Sequence, residues 1–281
     1  MGKHTAVRLF LLTLALGAGW IAFTQQQDEP PLKLQEVRPD LHMIVGPGGN
    51  IGALVTDEGV LLVDDKFDRH VPQILAKVKS LTDKPVRYVL NTHHHGDHTG
   101  GNAKLSEQAT IIAHENARAN MRGVESASLP AVTFSEQTSV FLGGREVQAI
   151  HFGSGHTNGD SIIVFPQHRV IHTGDLFVRG APYIDYGSGG SAIEWDPTLD
   201  SVMQLEFDTI IPGHGPLAKR EDLVLWKENY ESVRQRVREL SRKGVSVDEA
   251  AEQLKLDDLE GWSMSGLLRR SLPRLMEEMR R

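Results

Sequence analysis

The chain turns on Asn91-Thr-His-His-His-Gly-Asp-His-Thr-Gly-Gly-Asn102, which packs four histidines and one aspartate into the six residues His93 to His98. It directly follows the apolar run Val86-Arg-Tyr-Val-Leu90, which has the composition of a buried strand. Imidazole nitrogens and a carboxylate gathered at a strand end are the ligand set that zinc and similar divalent metals accept. The expectation is a two-metal hydrolytic site. Gly100 and Gly101 let the chain turn from the metal loop into a helix.

Moving outward, His42–Val45, Ile51–Val55 and Val60–Val63 read as three short strands of a meander. Val71 to Leu81 carries apolar residues at helical spacing. Beyond the cluster come a helix near Ala103–Gln108, a strand over Thr110–Ala113 and a helix near Glu115–Met121. The second half repeats the theme, with strands at Val140–Leu142, Glu146–Ile150, Ser161–Phe165, Val170–Ile171 and Thr209–Ile211, and a helix near Thr198–Leu205. After Pro216 the pattern becomes helical. Leu223, Trp226, Tyr230, Val233, Val237 and Leu240 lay one apolar stripe along a helix that Gly244 ends, and Ser246 with Glu249 forms a capping box for another.

Composition narrows the partners. The 281 residues, 40% hydrophobic, are enough for one large domain with an appendage, and a net charge of -7 gives no basic excess for nucleic acid. A chain without cysteine has neither disulfides nor thiolate ligands, so any metal must be held by His, Asp or Glu. Lys3 and Arg8 precede an apolar run from Leu9 to Phe23 and then the polar Gln25–Pro31. Residues 1–24 therefore read as a secretory signal or an N-terminal membrane anchor and 25–40 as a linker, with the folded part outside the cytoplasm, on the periplasmic side in a bacterium.

Three more ligand candidates sit in glycine-containing turns beside strands: His156 in Gly153–Asp160, Asp175 in His172–Phe177 and His214 in Pro212–Gly215. With the His-X-His-X-Asp-His cluster, they make the chain resemble the metallo-β-lactamase-fold hydrolase superfamily. The resemblance runs from about Leu41 to Pro216 and implies an α/β fold, the αββα four-layer sandwich, with residues 219–281 a helical extension packing on the domain or on a partner. It implies that His93, His95 and His156 hold a first metal, that Asp97, His98 and His214 hold a second, and that Asp175 bridges them. Asp64 and His172 would support these ligands from behind. Asp175 stands where the best-known lactamases use cysteine, so the set is similar to that of glyoxalase II. Charge supports the bridge independently, because neutral imidazoles and Asp97 alone leave two divalent cations undercompensated. His94 falls in a variable slot, and His42, His70, His114, His151 and His168 read as ordinary.

Two zinc ions about 3.5–4 Å apart lower the pKa of a bridging water, whose hydroxide attacks a carbonyl while Asp97 shuttles the proton. Lactamases carry a lysine three residues after the bridging position, where this chain has Val178; the nearby Arg179 is the candidate carboxylate binder. Tyr183–Ser191, with Tyr183 and Tyr186, is the candidate substrate loop. The substrate class is a small-molecule lactam, lactone, ester or thioester. One rival is a persulfide dioxygenase with a single Fe2+ on His93, His156 and Asp175. Another is a non-catalytic metal protein that binds partners through its helical tail.

Overall fold

The computed structural model describes residues 30–280; the expected signal or anchor and most of the expected linker's first half lie outside the described residues. Its seven-stranded sheet runs in sequence order: β1 (Lys33–Arg38), β2 (Leu41–Val45), β3 (Ile51–Val55), β4 (Val60–Val63), β5 (Val86–Leu90), β6 (Thr110–His114) and β7 (Val132–Phe134). The six-stranded sheet comprises β8 (Gln137–Leu142), β9 (Arg145–Ile150), β10 (Ile162–Phe165), β11 (Val170–His172), β12 (Thr209–Ile211) and β13 (Ala218–Lys219), with β8 and β13 at its edges. The helices are α1 (Val71–Leu81), α2 (Gly96–Thr99), α3 (Asn102–Leu105), α4 (Glu115–Asn120), α5 (Ala192–Val202), α6 (Arg220–Lys243), α7 (Val247–Gln253) and α8 (Gly266–Glu278).

Alternation along the strands builds the layers. In β4, Leu61 and Val63 face a core shared with the second sheet, while Val60 and Leu62 pack under α1 and α3. In β10, Ile163 and Phe165 join the inter-sheet core, whereas Ile162 and Val164 face α5 to α8. Strands buried on both faces read as unbroken apolar runs. The result is the expected αββα arrangement. Among the described residues no helix is long and apolar enough to cross a membrane.

Connectivity places the site. Strands β4 to β7 are parallel, as are β11 and β12, so their chain ends point the same way within each sheet. The His cluster leaves β5, Asp175 leaves β11 and His214 leaves β12. In open α/β sheets that edge is where irregular backbone gathers and where functional side chains are presented.

The linker expected over 25–40 ends early, because residues 33–38 form β1, paired antiparallel with β2. Lys33 and Glu36 face solvent at the sheet edge and Arg38 reaches across to Asp208 at 2.7 Å, leaving only Val37 and the preceding Leu32 as buried apolar marks. Helix α5 starts at Ala192, not near Thr198, with Ser191 accepting the Glu194 N–H and Pro197 inside the helix. Proline deprives Ile193 of an amide partner for its carbonyl, and Ile193 is exposed enough to hydrate it. Helices α6 to α8 share one buried cluster with α5 and the outer face of β10, β11 and β12. Within it, the Trp195, Trp226 and Tyr230 rings lie 5.3 to 5.7 Å apart.

Candidate metal centre

In His93, His95, His98 and His156 the outer ring nitrogen is occupied, which decides where the lone pair of the other points. Thr92 donates its hydroxyl to Asp64 (2.8 Å) and so accepts from His93 Nδ1 at 3.1 Å. His156 Nδ1 donates to the Tyr183 carbonyl at 2.8 Å, and His95 Nε2 donates to Asp185 Oδ2 at 2.9 Å. His93 Nε2, His95 Nδ1 and His156 Nε2 are thereby turned inward, and they converge: His95 Nδ1 lies 3.2 Å from His93 Nε2 and 2.9 Å from His156 Nε2. Burial pushes His93 well below its ordinary pKa and His156 down to about 4, with neighbouring imidazoles adding to it and Asp175 opposing it. Buried neutral lone pairs aimed at one point repel one another, and a cation between them relieves that cost.

The second group is charged. His98 Nδ1 is held by Asp64 at 2.8 Å, so its Nε2 faces inward, 3.3 Å from His214 Nε2 and 3.7 Å from Asp97 Oδ2. His214 Nε2 is also 3.3 Å from Asp97 Oδ2. Asp175 stands between the groups, with Oδ1 3.3 Å from both His98 and His214 and Oδ2 3.6 Å from His156. Its buried Oδ1 nevertheless has no partner in hydrogen-bond geometry. Burial opposes the charge of His214, but Asp175 and Asp97 outweigh it and raise the imidazole to about 9. Asp175 is held well below the usual carboxylate range, burial working against it and His98 and His214 prevailing.

His93, His95, His156 and Asp175 form one set whose ligand atoms lie within 4.8 Å of one another, and Asp97, His98 and His214 form another. The donor set, its inward-turned nitrogens and the orphaned Asp175 oxygen fit two divalent ions. His94 and Asp185 also lie beside His95. There, however, His95 offers only its hydrogen-bonded nitrogen, and His94 Nε2 contacts Ser188 at 3.1 Å.

The backing is over-determined. Asp64 accepts the Thr92 N–H at 2.8 Å besides the Thr92 hydroxyl and His98, and it sits in left-handed backbone at φ 63. Lys66, at φ 58 and fully buried, donates to the carbonyls of Gly46 and Gly49. Burial brings its ammonium down to about 8 against the pull of Asp97 and Asp64. Two left-handed non-glycines cost about 1–3 kcal/mol each, offset here by these buried bonds. Asn50 clamps the His214 turn through the Pro212 and Gly215 carbonyls at 2.9 and 2.8 Å. A Cβ on Gly213 would lie 2.0 Å from Asp175 Oδ1, so no side chain fits there. His172 does not touch Asp175; it accepts the Gly174 N–H at 3.1 Å and contacts the Asn50 carbonyl at 3.1 Å, shaping the turn that carries it.

A cleft of about 600 Å³ opens over these ligands. Arg179 and Tyr183 line it, but Arg179 is tied to Asp222 at 2.7 Å. Tyr186 does not reach it, because its hydroxyl donates to Glu278 of α8 at 2.6 Å. Sequence reasoning missed Asp185, although it is the sole acid between Leu176 and Ser191 and so carried a signal. It also missed Phe67, Leu267 and Arg270, which line the same cleft from distant segments without a local motif.

Residues 45–214 match the model of the "Metallo-beta-lactamase superfamily". The chain is 28% identical over 173 residues to a "Metallo-beta-lactamase type 2" of Bacillus cereus, covering 59% of this chain and 67% of that one. It is 29% identical over 237 residues to the "2,4-dinitroanisole O-demethylase subunit alpha" of a Nocardioides species, covering 81% and 71%. The fold is similar to that of a metallo-β-lactamase from Pontibacter korlensis (TM-score 0.64, 20% identity, 71% of this chain and 99% of that one). It is also similar to DIM-1 metallo-β-lactamase (TM-score 0.65, 17% identity, 73% and 99%). With more than half its length matched by the family model, the chain belongs to the metallo-β-lactamase superfamily.

Proposed function

We propose that this metal-dependent hydrolase is exported, binds two zinc ions per chain and attacks the carbonyl of a lactam, lactone, ester or thioester. The observation carrying the reading is the pair of inward-facing ligand groups sharing Asp175. His93, His95 and His156 would hold one ion, Asp97, His98 and His214 the other, with Asp175 touching both. A single iron on His93, His156 and Asp175 would leave the second group without a task, which favours the metal pair. Lys3, Arg8 and the apolar run that follows support export.

When bound, the metal pair supplies an activated water and a Lewis acid near neutral pH. The chain's own groups do the rest. Asp97 engages His98 and His214 through Oδ2, leaving Oδ1 to take a proton and pass it to the leaving group. Asp185 and the Tyr183 carbonyl fix the rings of His95 and His156. Tyr183, whose ring lies 6.1 Å from that of His95, and Phe67 wall the cleft against water.

The relatives' names span a lactam and an aryl methyl ether, so the bond attacked is a question for experiment. A panel of nitrocefin, lactones, aryl esters and thioesters on zinc-loaded protein, with metal content measured on the same sample, tests the proposal. Turnover of at least one carbonyl class at about two zinc ions per chain is expected. Iron in the protein as purified, with oxygen uptake on a persulfide and no hydrolysis, would overturn it.

A further inference from the structure

We propose that α8 is the substrate-recognition element of this enzyme, with Arg270 as the counter-ion for a carboxylate on the acyl portion of the substrate and Leu267 as the seat for its apolar chain. The inference rests on the hydrolase reading above and names the class of substrate that reading leaves open.

Leu267 and Arg270 are three residues apart on α8, hence on one face, and both border the cleft that also exposes His95, Asp97 and His214. Leu267 is 49% exposed, an apolar side chain turned to a cleft instead of the core. The cleft's two arginines are not equivalent. Arg179 is paired with Asp222 at 2.7 Å, whereas among the described residues Arg270 forms no ion pair. It is also near enough to Tyr183 to counter the rise that burial and Asp185 impose on the phenol. The Tyr183 ring in turn lies 6.1 and 5.7 Å from the rings of His95 and His156. An anion on Arg270 thus sits about one aromatic side chain away from the ligand cluster. The planar guanidinium fork matches a carboxylate.

Helix α8 is fixed firmly enough for this task. Leu268, Leu272, Leu275 and Met276 are buried against α6 and α7. Ser271, beside Arg270, accepts the Ile184 N–H at 2.9 Å and contacts its carbonyl at 3.3 Å. Glu278 accepts from Tyr186 at 2.6 Å, Ser191 at 2.5 Å and the Ala192 N–H at 3.0 Å. The helix is riveted at two points to the loop that carries Tyr183 and Asp185, so Arg270 is preorganised relative to the metal ligands.

The test uses a matched pair of esters, mono-4-nitrophenyl glutarate and 4-nitrophenyl butyrate, on zinc-loaded wild type, Arg270→Gln and Arg270→Lys. The wild type is expected to favour the glutarate ester. Arg270→Gln should lower the glutarate-to-butyrate ratio of kcat/KM by about 10- to 100-fold, the range of a lost charge-assisted hydrogen bond. The change should sit in KM for the glutarate ester, and Arg270→Lys should restore part of the preference. A ratio in Arg270→Gln equal to that of wild type would overturn the assignment. Calorimetric titration of glutaric acid monoanilide into wild type and Arg270→Gln separates this failure from failure of the hydrolase reading. If wild type cleaves neither ester, at least tenfold weaker binding to Arg270→Gln still supports the carboxylate site, and equal binding overturns it.

Discussion

Asp185 lies outside every motif, yet removing it should weaken the metal centre. Its Oδ2 accepts from His95 Nε2 at 2.9 Å, and that bond commits His95 Nδ1 to the site. The same bond, chiefly, holds the Asp185 carboxyl well below the usual carboxylate range, so a charged acceptor is present across the working pH. A hydrogen bond to a charged group contributes about 1.5–3 kcal/mol, which corresponds to roughly 10- to 100-fold in affinity. Loss of a carboxylate behind a ligating histidine typically falls in the same range. Asp185→Asn keeps an acceptor and drops the charge, so about tenfold is expected; Asp185→Ala should reach about 100-fold. His93 and His156 keep their own outer partners, so the loss should be partial. Zinc competition against a chromogenic chelator, counted per chain, measures it directly, with thermal melting as the control for folding. Wild-type zinc affinity in both variants would refute the claim that Asp185 orients His95.

Asp97→Ala should reduce turnover by several hundredfold or more while at least one zinc ion per chain remains, as general acid–base steps contribute about 10²–10⁴-fold; full activity would dismiss Asp97 as proton carrier. In the metal-stripped protein, His214 is raised to about 9. Stability from that protonated imidazole is complete below about 6.5, its ordinary value, and lost as pH rises through 9, so the stripped protein should melt lower at pH 9.5 than at pH 6.5. Zinc addition at pH 7 should release protons into a weakly buffered solution; no proton release would contradict the His214 assignment. Trp195→Ala should cost about 3–5 kcal/mol in denaturant unfolding, since the ring is fully buried between Trp226 and Tyr230. A loss below about 1 kcal/mol would mean that the helices do not share one core with the second sheet.

The clustering of the candidate ligands was legible because they are local to glycine-rich turns at strand ends, where residue type and spacing carry the information. The strands β2 to β4 and β6 were legible for a related reason: two buried faces write a nearly unbroken apolar run, whereas in β5 the exposed Arg87 interrupts it. Edges were harder. Strand β1 is rich in polar residues, with Lys33, Gln35 and Glu36 turned toward solvent, and so imitates a linker. The start of α5 was hidden because the helix carries Pro197 in its interior, where proline removes a helical hydrogen bond, a loss that an exposed Ile193 makes tolerable. Tyr186 was expected at the candidate site as part of a Gly-rich, aromatic loop; which way a loop side chain turns depended on Glu278, 92 residues later. Arg270 shows the same limit, since no local pattern distinguishes an arginine at a cleft from one on any other exposed helix face.

The loop from Tyr183 to Ser191 has no sheet ladder of its own and only a single 3-10 turn at Tyr186–Ser188. Its links to Ser271 and Glu278 join residues 87 to 92 apart in sequence. Such a loop cannot open and close as an independent unit: its amides should exchange with solvent at the rate at which α8 undocks, so loop and helix form one cooperative unit within a more stable frame. Substitutions that loosen α8 far from any ligand would then be felt at His95 as a change in how long the site stays assembled, not in its geometry once assembled.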